Sequence, residues 1–395
     1  MPARSLPFQL LTNADLYGPE YIGRRSILIC AGSIVWIGEG QPALPSEFEC
    51  SIRDLEGRRA IPGLVDCHTH ITGGGGECGY ETRVPPVPLS RFTTAGITSV
   101  VGLLGTDDVT RDTGSLVAAA RALCVEGINA WCYTGGYHVP PTTLTGCVRS
   151  DIVHVDRIIG AGEIAISDHR SSQPTLEEVL RIASDVHVAG IMTGKAGVLH
   201  LHLGDGERGL ALIREALSTA EIPARTYHPT HSNRRRELFE ESCDLVRQGC
   251  TVDMTAFPAA VLSTDEYSAA EAWQRYQAED LPPDRITISS DGGGCMPSFD
   301  AEGQPVGMDV GAPAELSATL ARLLADGCAL EEVLPAFTSN VAALLRLTNK
   351  GRLDVGSDAD LVVLDQTAQV ADVMSRGRWL VVDRKPVVLG TFEDR

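Results

Sequence analysis

Gly63-Leu64-Val65-Asp66-Cys67-His68-Thr69-His70 is the stretch on which the reading of this chain turns. Leu64–Cys67 is a short, apolar, β-rich run, and two histidines follow it at a spacing of two. At a strand end that spacing aims both imidazoles at one face. Converging imidazoles suit a metal ion, and in a closed parallel barrel the active site lies at the C-terminal ends of the strands. The competing reading of the pair alone is two satisfied histidines beside a turn.

Working outward, seven more β-rich runs recur: Ile97–Val101, Ala130–Tyr133, Ile164–Ser167, Val198–Leu203, Thr226–His228, Val252–Thr255 and Ile286–Ser289. Helical patterns lie between many of them. Leu176, Val179, Leu180 and Ala183 share one face of a helix in Thr175–Val188, and Thr175 with Glu178 has capping-box spacing at its start. Leu116, Ala120, Leu123 and Cys124 give a second apolar face. Eight strands with intervening helices predict an α/β fold, a (β/α)8 TIM-like barrel over residues 63–348, because the count closes. The flanks differ. Ser26–Cys30, Ile34–Ile37, Ala359–Leu364 and Trp379–Val382 are short strand-like runs, too few at either end to bury a core. Residues 1–62 and 349–395 are therefore expected to pair into one small β-sandwich domain.

Chemistry-bearing residues recur at the ends of the runs. His202 closes the fifth, His231 follows the sixth in Pro229-Thr230-His231, and Asp291 follows the eighth before Gly292-Gly293-Gly294. His200 and His228 are nearby competitors. His200 shares strand parity with His202 but lies deeper, which suits a core or supporting place.

The 395 residues carry 33 Lys+Arg against 52 Asp+Glu, a formal charge of −19. That balance argues against nucleic-acid binding and against docking on an anionic membrane. Apolar residues reach 43%, enough for a sizeable core. Eleven cysteines without a CxxC pair fit a reducing compartment better than a disulfide framework. With no signal-like or membrane-length apolar run, a soluble cytoplasmic protein is expected.

The PGLVDCHTH motif, the two later histidines and the final aspartate resemble the amidohydrolase superfamily of metal hydrolases. The return Gly351-Arg352-Leu353-Asp354-Val355-Gly356-Ser357-Asp358-Ala359-Asp360-Leu361 does so too. Within it the chain resembles the isoaspartyl (β-aspartyl) dipeptidases, through Gly73-Gly74-Gly75-Gly76-Glu77, Leu103-Leu104-Gly105-Thr106-Asp107, Gly135-Gly136-Tyr137-His138-Val139-Pro140, Ser167-Asp168-His169-Arg170 and His231-Ser232-Asn233-Arg234. The resemblance runs over nearly the whole chain. It implies two divalent metal ions, with zinc expected, held by His68, His70, His202, His231 and Asp291. It also implies a homo-oligomer and a dipeptide substrate.

Two positions depart from the family pattern. A carboxylated lysine is expected seven residues before the Arg of SDHR; here that position is Glu163, and the lysines are Lys195, Lys350 and Lys385. Glutamate keeps the carboxylate while losing three chain atoms, so a bridge through Glu163 needs the backbone or the metals to move inward, and no CO2-derived carbamate is expected. The alternative is an ordinary carboxylate at a loop-to-strand junction and a single metal. Four residues after Asp291 the family serine is replaced by Cys295, a weaker hydrogen-bond donor.

An isoaspartyl dipeptide carries one ammonium and two carboxylates. Glu77 suits the ammonium, and Arg170 and Arg234 suit carboxylates through bidentate pairing. The resemblance implies that Gly75 and Thr106 offer further donors. Tyr137 is placed to stabilise the oxyanion, and Asp291 to move the proton. The reading is metal-dependent hydrolysis of the β-aspartyl bond by a metal-bound hydroxide. Its alternatives are action on another amide (an N-acyl amino acid, a cyclic imide or ureide, or a β-Asp-Arg-type dipeptide) and a catalytically silent assembly protein on the same fold.

Overall fold

The computed structural model describes residues 8–45, 48–258, 262–300 and 302–394. Residues 1–7, 46–47 and 395 of the expected β-domain thus lie outside the described residues, as do 259–261 and 301 of the barrel span.

Six strands, Leu64–Thr69, Ile97–Gly102, Asn129–Thr134, Ile158–Ser167, Val198–Leu203 and Tyr227–Thr230, form one parallel sheet in chain order. The seventh and eighth, Val252–Thr255 and Ile286–Ser289, pair with each other. The Ser232 N–H donates to the Asp253 carbonyl at 3.1 Å, joining the sixth to the seventh. A parallel bridge between Thr69 and Gly292 returns from the eighth to the first. The result is a (β/α)8 TIM-like barrel whose strands are buried almost throughout, as parallel strands covered by helices must be. One of the covering helices, Leu176–Thr193, starts on the capping box of Thr175 and Glu178.

The fourth strand corrects one expectation. It begins at Ile158, so Glu163 sits inside a strand and not at a loop junction. Gly160 and Gly162 lie within this strand, where neighbours crowd them. A Cβ on Gly160 would lie 2.4 Å from the Val198 carbonyl oxygen, and one on Gly162 2.7 Å from His200 Cβ. Glycine inside a strand marks such close approach.

Strands from both chain ends share one nine-stranded sheet, in which Arg59–Pro62 pairs antiparallel with Leu361–Leu364. The sheet wraps its own apolar core of Leu11, Leu16, Ile27, Ile29, Ile34, Leu361, Val363 and Met374, giving a small β-sandwich beside the barrel. The strand Phe8–Tyr17 was not among the runs named in the strand-like N-terminal region; its pairing shifts register between Leu11 and Ala14, where Asn13 adopts φ 55° and breaks the alternation. A hairpin, Cys295–Phe299 with Pro305–Val310, was also missed; Pro297, Gly303 and Gly307 disguise it as a loop. Among the described residues no helix is long and apolar enough to cross a membrane.

Candidate active site

The barrel mouth brings together all six residues expected to hold metal. His70 Nε2 lies 3.3 Å from Glu163 Oε1 and 3.2 Å from Asp291 Oδ1. His68 Nε2 lies 3.6 Å from Glu163 Oε2 and 3.4 Å from Asp291 Oδ1. His202 Nδ1 and His231 Nε2 face Glu163 Oε2 at 2.9 and 3.7 Å. The Glu163 carboxylate therefore stands between two pairs of imidazoles. Three overlapping groups satisfy the spacing of a cation site: His68, His70 and Glu163; His68, His231 and Asp291; Glu163, His202 and His231. Each residue is at most 5% exposed.

The backbone is bent to make this arrangement. His231 and Asp291 adopt φ 60° and 52°, a left-handed conformation that side-chain-bearing residues rarely take and that clusters at functional sites. Asp66, one turn of the strand below, accepts from the Ser290 hydroxyl and N–H and from the His68 N–H, tying the eighth strand to the first. Burial pushes the Asp66 carboxyl up to about 7 against those hydrogen bonds.

The donor set fits divalent metal. His68 Nε2 and Asp291 Oδ1 are buried without a hydrogen-bond partner, and such orphans are rare unless something else binds them. Burial opposes ionisation of Glu163 and Asp291, yet the facing imidazoles hold both well below the usual carboxylate range. Conversely, burial opposes charging of His70, while Asp291 and Glu163 raise it to about 10. Carboxylates and imidazoles compete for protons in a space that one or two divalent cations would neutralise.

The remaining predicted residues line a cavity of about 390 Å³ over this cluster, among them Gly75, Glu77, Thr106, Tyr137, Arg170, Arg234 and Cys295. Glu77 Oε1 accepts from Thr106 Oγ1 at 3.0 Å and from Arg170 at 3.4 Å; its Oε2 is buried and free. The Tyr137 hydroxyl contacts the His202 ring at 2.9 Å. Burial, reinforced by Glu163, pushes that phenol well up, so it stays protonated and able to donate. Arg234 donates to the Leu203 carbonyl at 3.2 Å and lies over the Phe257 ring. Cys295 opens the hairpin that overhangs the cavity and extends it through Met296 to Phe299.

Several contributors were not singled out from the sequence. Asp168 accepts from Arg170 at 2.9 and 2.6 Å and contacts His202 Nε2 at 2.9 Å, joining the histidine cluster to the rim. Its place in the SDHR motif was the available signal. Arg111 donates to the Gly74, Gly75 and Val84 carbonyls and pairs with Asp107, holding the glycine loop. That loop needs its glycines: a Cβ on Gly73 (φ 76°) would lie 1.9 Å from the Val84 carbonyl oxygen. Asp253, also not singled out, ends a polar line beneath the site that takes in His200 and His228, the two competitors named from the sequence.

Comparison with known proteins agrees with this geometry. The amidohydrolase family model matches residues 163–380. A β-aspartyl dipeptidase from the thermophilic keratin-degrading Fervidobacterium islandicum AW-1, solved with a β-Asp-Leu dipeptide, is 42% identical over 99% of this chain and 100% of its own, with a TM-score of 0.94. An imidazolonepropionase from Ruegeria sp. strain TM1040 is 25% identical, covering 86% of each protein. A D-hydantoinase from Thermus sp., 16% identical over 98% of both chains with a TM-score of 0.68, shares the fold. With a family model matched over more than half its length and a 42% identical relative spanning all of it, the chain belongs to the amidohydrolase family of hydrolases.

Proposed function

We propose that the protein hydrolyses the β-aspartyl bond of isoaspartyl dipeptides, using two divalent metal ions, zinc by preference. In this reading residues 63–348 form the catalytic barrel, residues 1–62 with 349–395 the small β-domain, and the setting is cytoplasmic and homo-oligomeric. The carrying observation is the unpaired, buried Glu77 Oε2 in a cavity whose wall also presents the Arg170 and Arg234 guanidiniums above the histidine–carboxylate cluster. That pattern matches a ligand with one ammonium and two carboxylates. A cyclic amide without an ammonium leaves Glu77 Oε2 without a partner.

His68, His70 and Asp291 would hold one ion, His202 and His231 the other, and Glu163 would bridge them. Bound metal would supply an acidified water and polarise the scissile carbonyl. The chain supplies the rest. Glu77 pairs with the α-ammonium, while Gly75 and Thr106 add polar contacts at the aspartyl end. Arg170 and Arg234 orient the two carboxylates, and Cys295 replaces a hydroxyl donor beside them. The Tyr137 hydroxyl donates to the oxygen that gains charge as the carbonyl is attacked. Asp291 accepts the proton of the attacking water and returns it to the leaving amine.

A panel of β-Asp-X and α-Asp-X dipeptides tests this. Turnover of the β-linked series alone is expected. Equal turnover of both, or turnover only of cyclic amides, overturns it.

A further inference from the structure

Beneath the first-strand histidines runs a line of polar side chains that the proposed reaction does not touch. His68 Nδ1 lies 2.8 Å from His200 Nε2, and His200 Nδ1 lies 2.9 Å from His228 Nδ1. His228 Nε2 is 3.1 Å from Thr287 Oγ1, which is 2.6 Å from Asp253 Oδ1. Asp253 also accepts from the Thr230 and Ser289 hydroxyls at 2.7 and 2.6 Å and faces the Cys67 thiol at 3.4 Å. His68, His200, His228, Thr287 and Asp253 are all 0% exposed. A register shift between Asp66 and Thr69 lets the adjacent Cys67 and His68 both reach this interior. Cys67, His228 and Asp253 stand close enough to hold a cation, but each of their polar atoms already has a partner. They form a hydrogen-bonded network.

The direction of this network follows from its far end. A carboxylate only accepts, so the Thr287 hydroxyl spends its one hydrogen on Asp253 and must accept from His228. His228 then carries its proton on Nε2 and presents a lone pair at Nδ1. His200 donates from Nδ1 to that lone pair and presents its own at Nε2. His68 must therefore carry its proton on Nδ1, which leaves the Nε2 lone pair aimed at Glu163 and Asp291. Complete burial favours the neutral rings that this scheme requires.

We infer that the line from Asp253 through Thr287, His228 and His200 locks His68 in its Nδ1–H tautomer, making His228 and Thr287 positioning residues for a metal ion they do not touch. This rests on the reading of His68 as a ligand. A ligating histidine is commonly oriented by one acceptor on its other nitrogen. Here that acceptor is itself oriented, through one further ring and a hydroxyl, by Asp253. His70 offers the internal contrast, since its Nδ1 is buried with no partner.

The experiment is NMR of protein labelled with ¹⁵N-histidine, metal-free and then zinc-loaded, alongside zinc titration. In wild type, metal-free and zinc-loaded alike, His68 should hold its Nδ1 proton against His200, with His200 protonated on Nδ1 alone and His228 on Nε2 alone. His228→Leu removes the acceptor and should release His68 to a mixture, with zinc affinity falling about 10–100-fold. Thr287→Val keeps the shape, removes the anchor and should mix the tautomers even if the leucine variant folds poorly. His228→Asn restores an acceptor towards His200 and should recover much of the affinity. A wild-type His68 that lacks its Nδ1 proton overturns the inference, as does a tautomer unmoved by Thr287→Val. No substrate enters these readouts, so a wrong substrate assignment would leave their outcome unchanged.

Discussion

The two ends of the histidine cluster are backed by different chemistry. His68 rests on a line of buried imidazoles and hydroxyls, and the nearest anion in that line is Asp253, three side chains away. His202 sits between two carboxylates, Glu163 and Asp168, at 2.9 Å each. The first arrangement fixes a ring without adding charge beside it. The second adds negative charge and then balances it with Arg170, which also touches Glu77. Ligand orientation and substrate recognition are thus coupled at the His202 end and separate at the His68 end.

Removing what the two ends share should do most damage. Two divalent ions about 4 Å apart repel by roughly 16 kcal/mol at an effective dielectric near 20, so an anion between them is essential. Glu163→Ala should lose one or both metals by elemental analysis, and turnover should fall by roughly a thousandfold or more. Because Glu163 carries its carboxylate covalently, reconstitution of the wild type should be indifferent to added bicarbonate. A variant that keeps two metals would mean that another group joins the ends.

Asp168→Asn probes the charged end alone. It keeps the shape but frees both Arg170 and His202, so metal affinity should fall about 10–100-fold and KM should rise with it. An effect on KM without any change in metal affinity would show that the ends are alike after all. Arg234→Ala lies farther from the metals. Loss of a charge-assisted contact of about 1.5–3 kcal/mol should raise KM for dipeptides roughly 10–100-fold, spare amides without the second carboxylate, and leave metal content unchanged.

The neutral end should reveal itself through pH. Burial, with some help from His68, holds His228 down to about 3 against an ordinary 6.5. A group whose pKa is depressed on folding contributes stability that is complete above its unfolded pKa and is lost as pH falls through the folded one. Metal-free protein should therefore lose stability to urea between about pH 6.5 and pH 3, and His228→Asn should lose less across that window. Equal slopes would mean that His228 is charged when folded.

The same division explains what could be read from the sequence. The rim and the ligands follow local rules. HxH at a strand end, Asp after the eighth strand and Arg beside two ligand strands each announce a chemistry by residue type and position, and all converge on one cavity. The floor does not. His200 read as a core or supporting residue and His228 only as a competitor, because their ring-to-ring contacts run across neighbouring strands, a matter of register that no single strand contains. Glu163 was singled out by its place in a motif, but its strand was expected to start only at Ile164, since Gly160 and Gly162 weaken a strand signal while serving close packing here.

The pairing of Arg59–Pro62 with Leu361–Leu364 also has a consequence in time. Pro62 is followed by Gly63 and then directly by the strand that bears His68. During synthesis that early strand must wait for a partner that leaves the ribosome only after the whole barrel has been made. Until then an apolar sheet edge stays open, a site where nascent chains stick to one another. Non-local closure of this kind also slows folding. The strand that bears His68 is thus made well before the edge that supports its neighbour is completed.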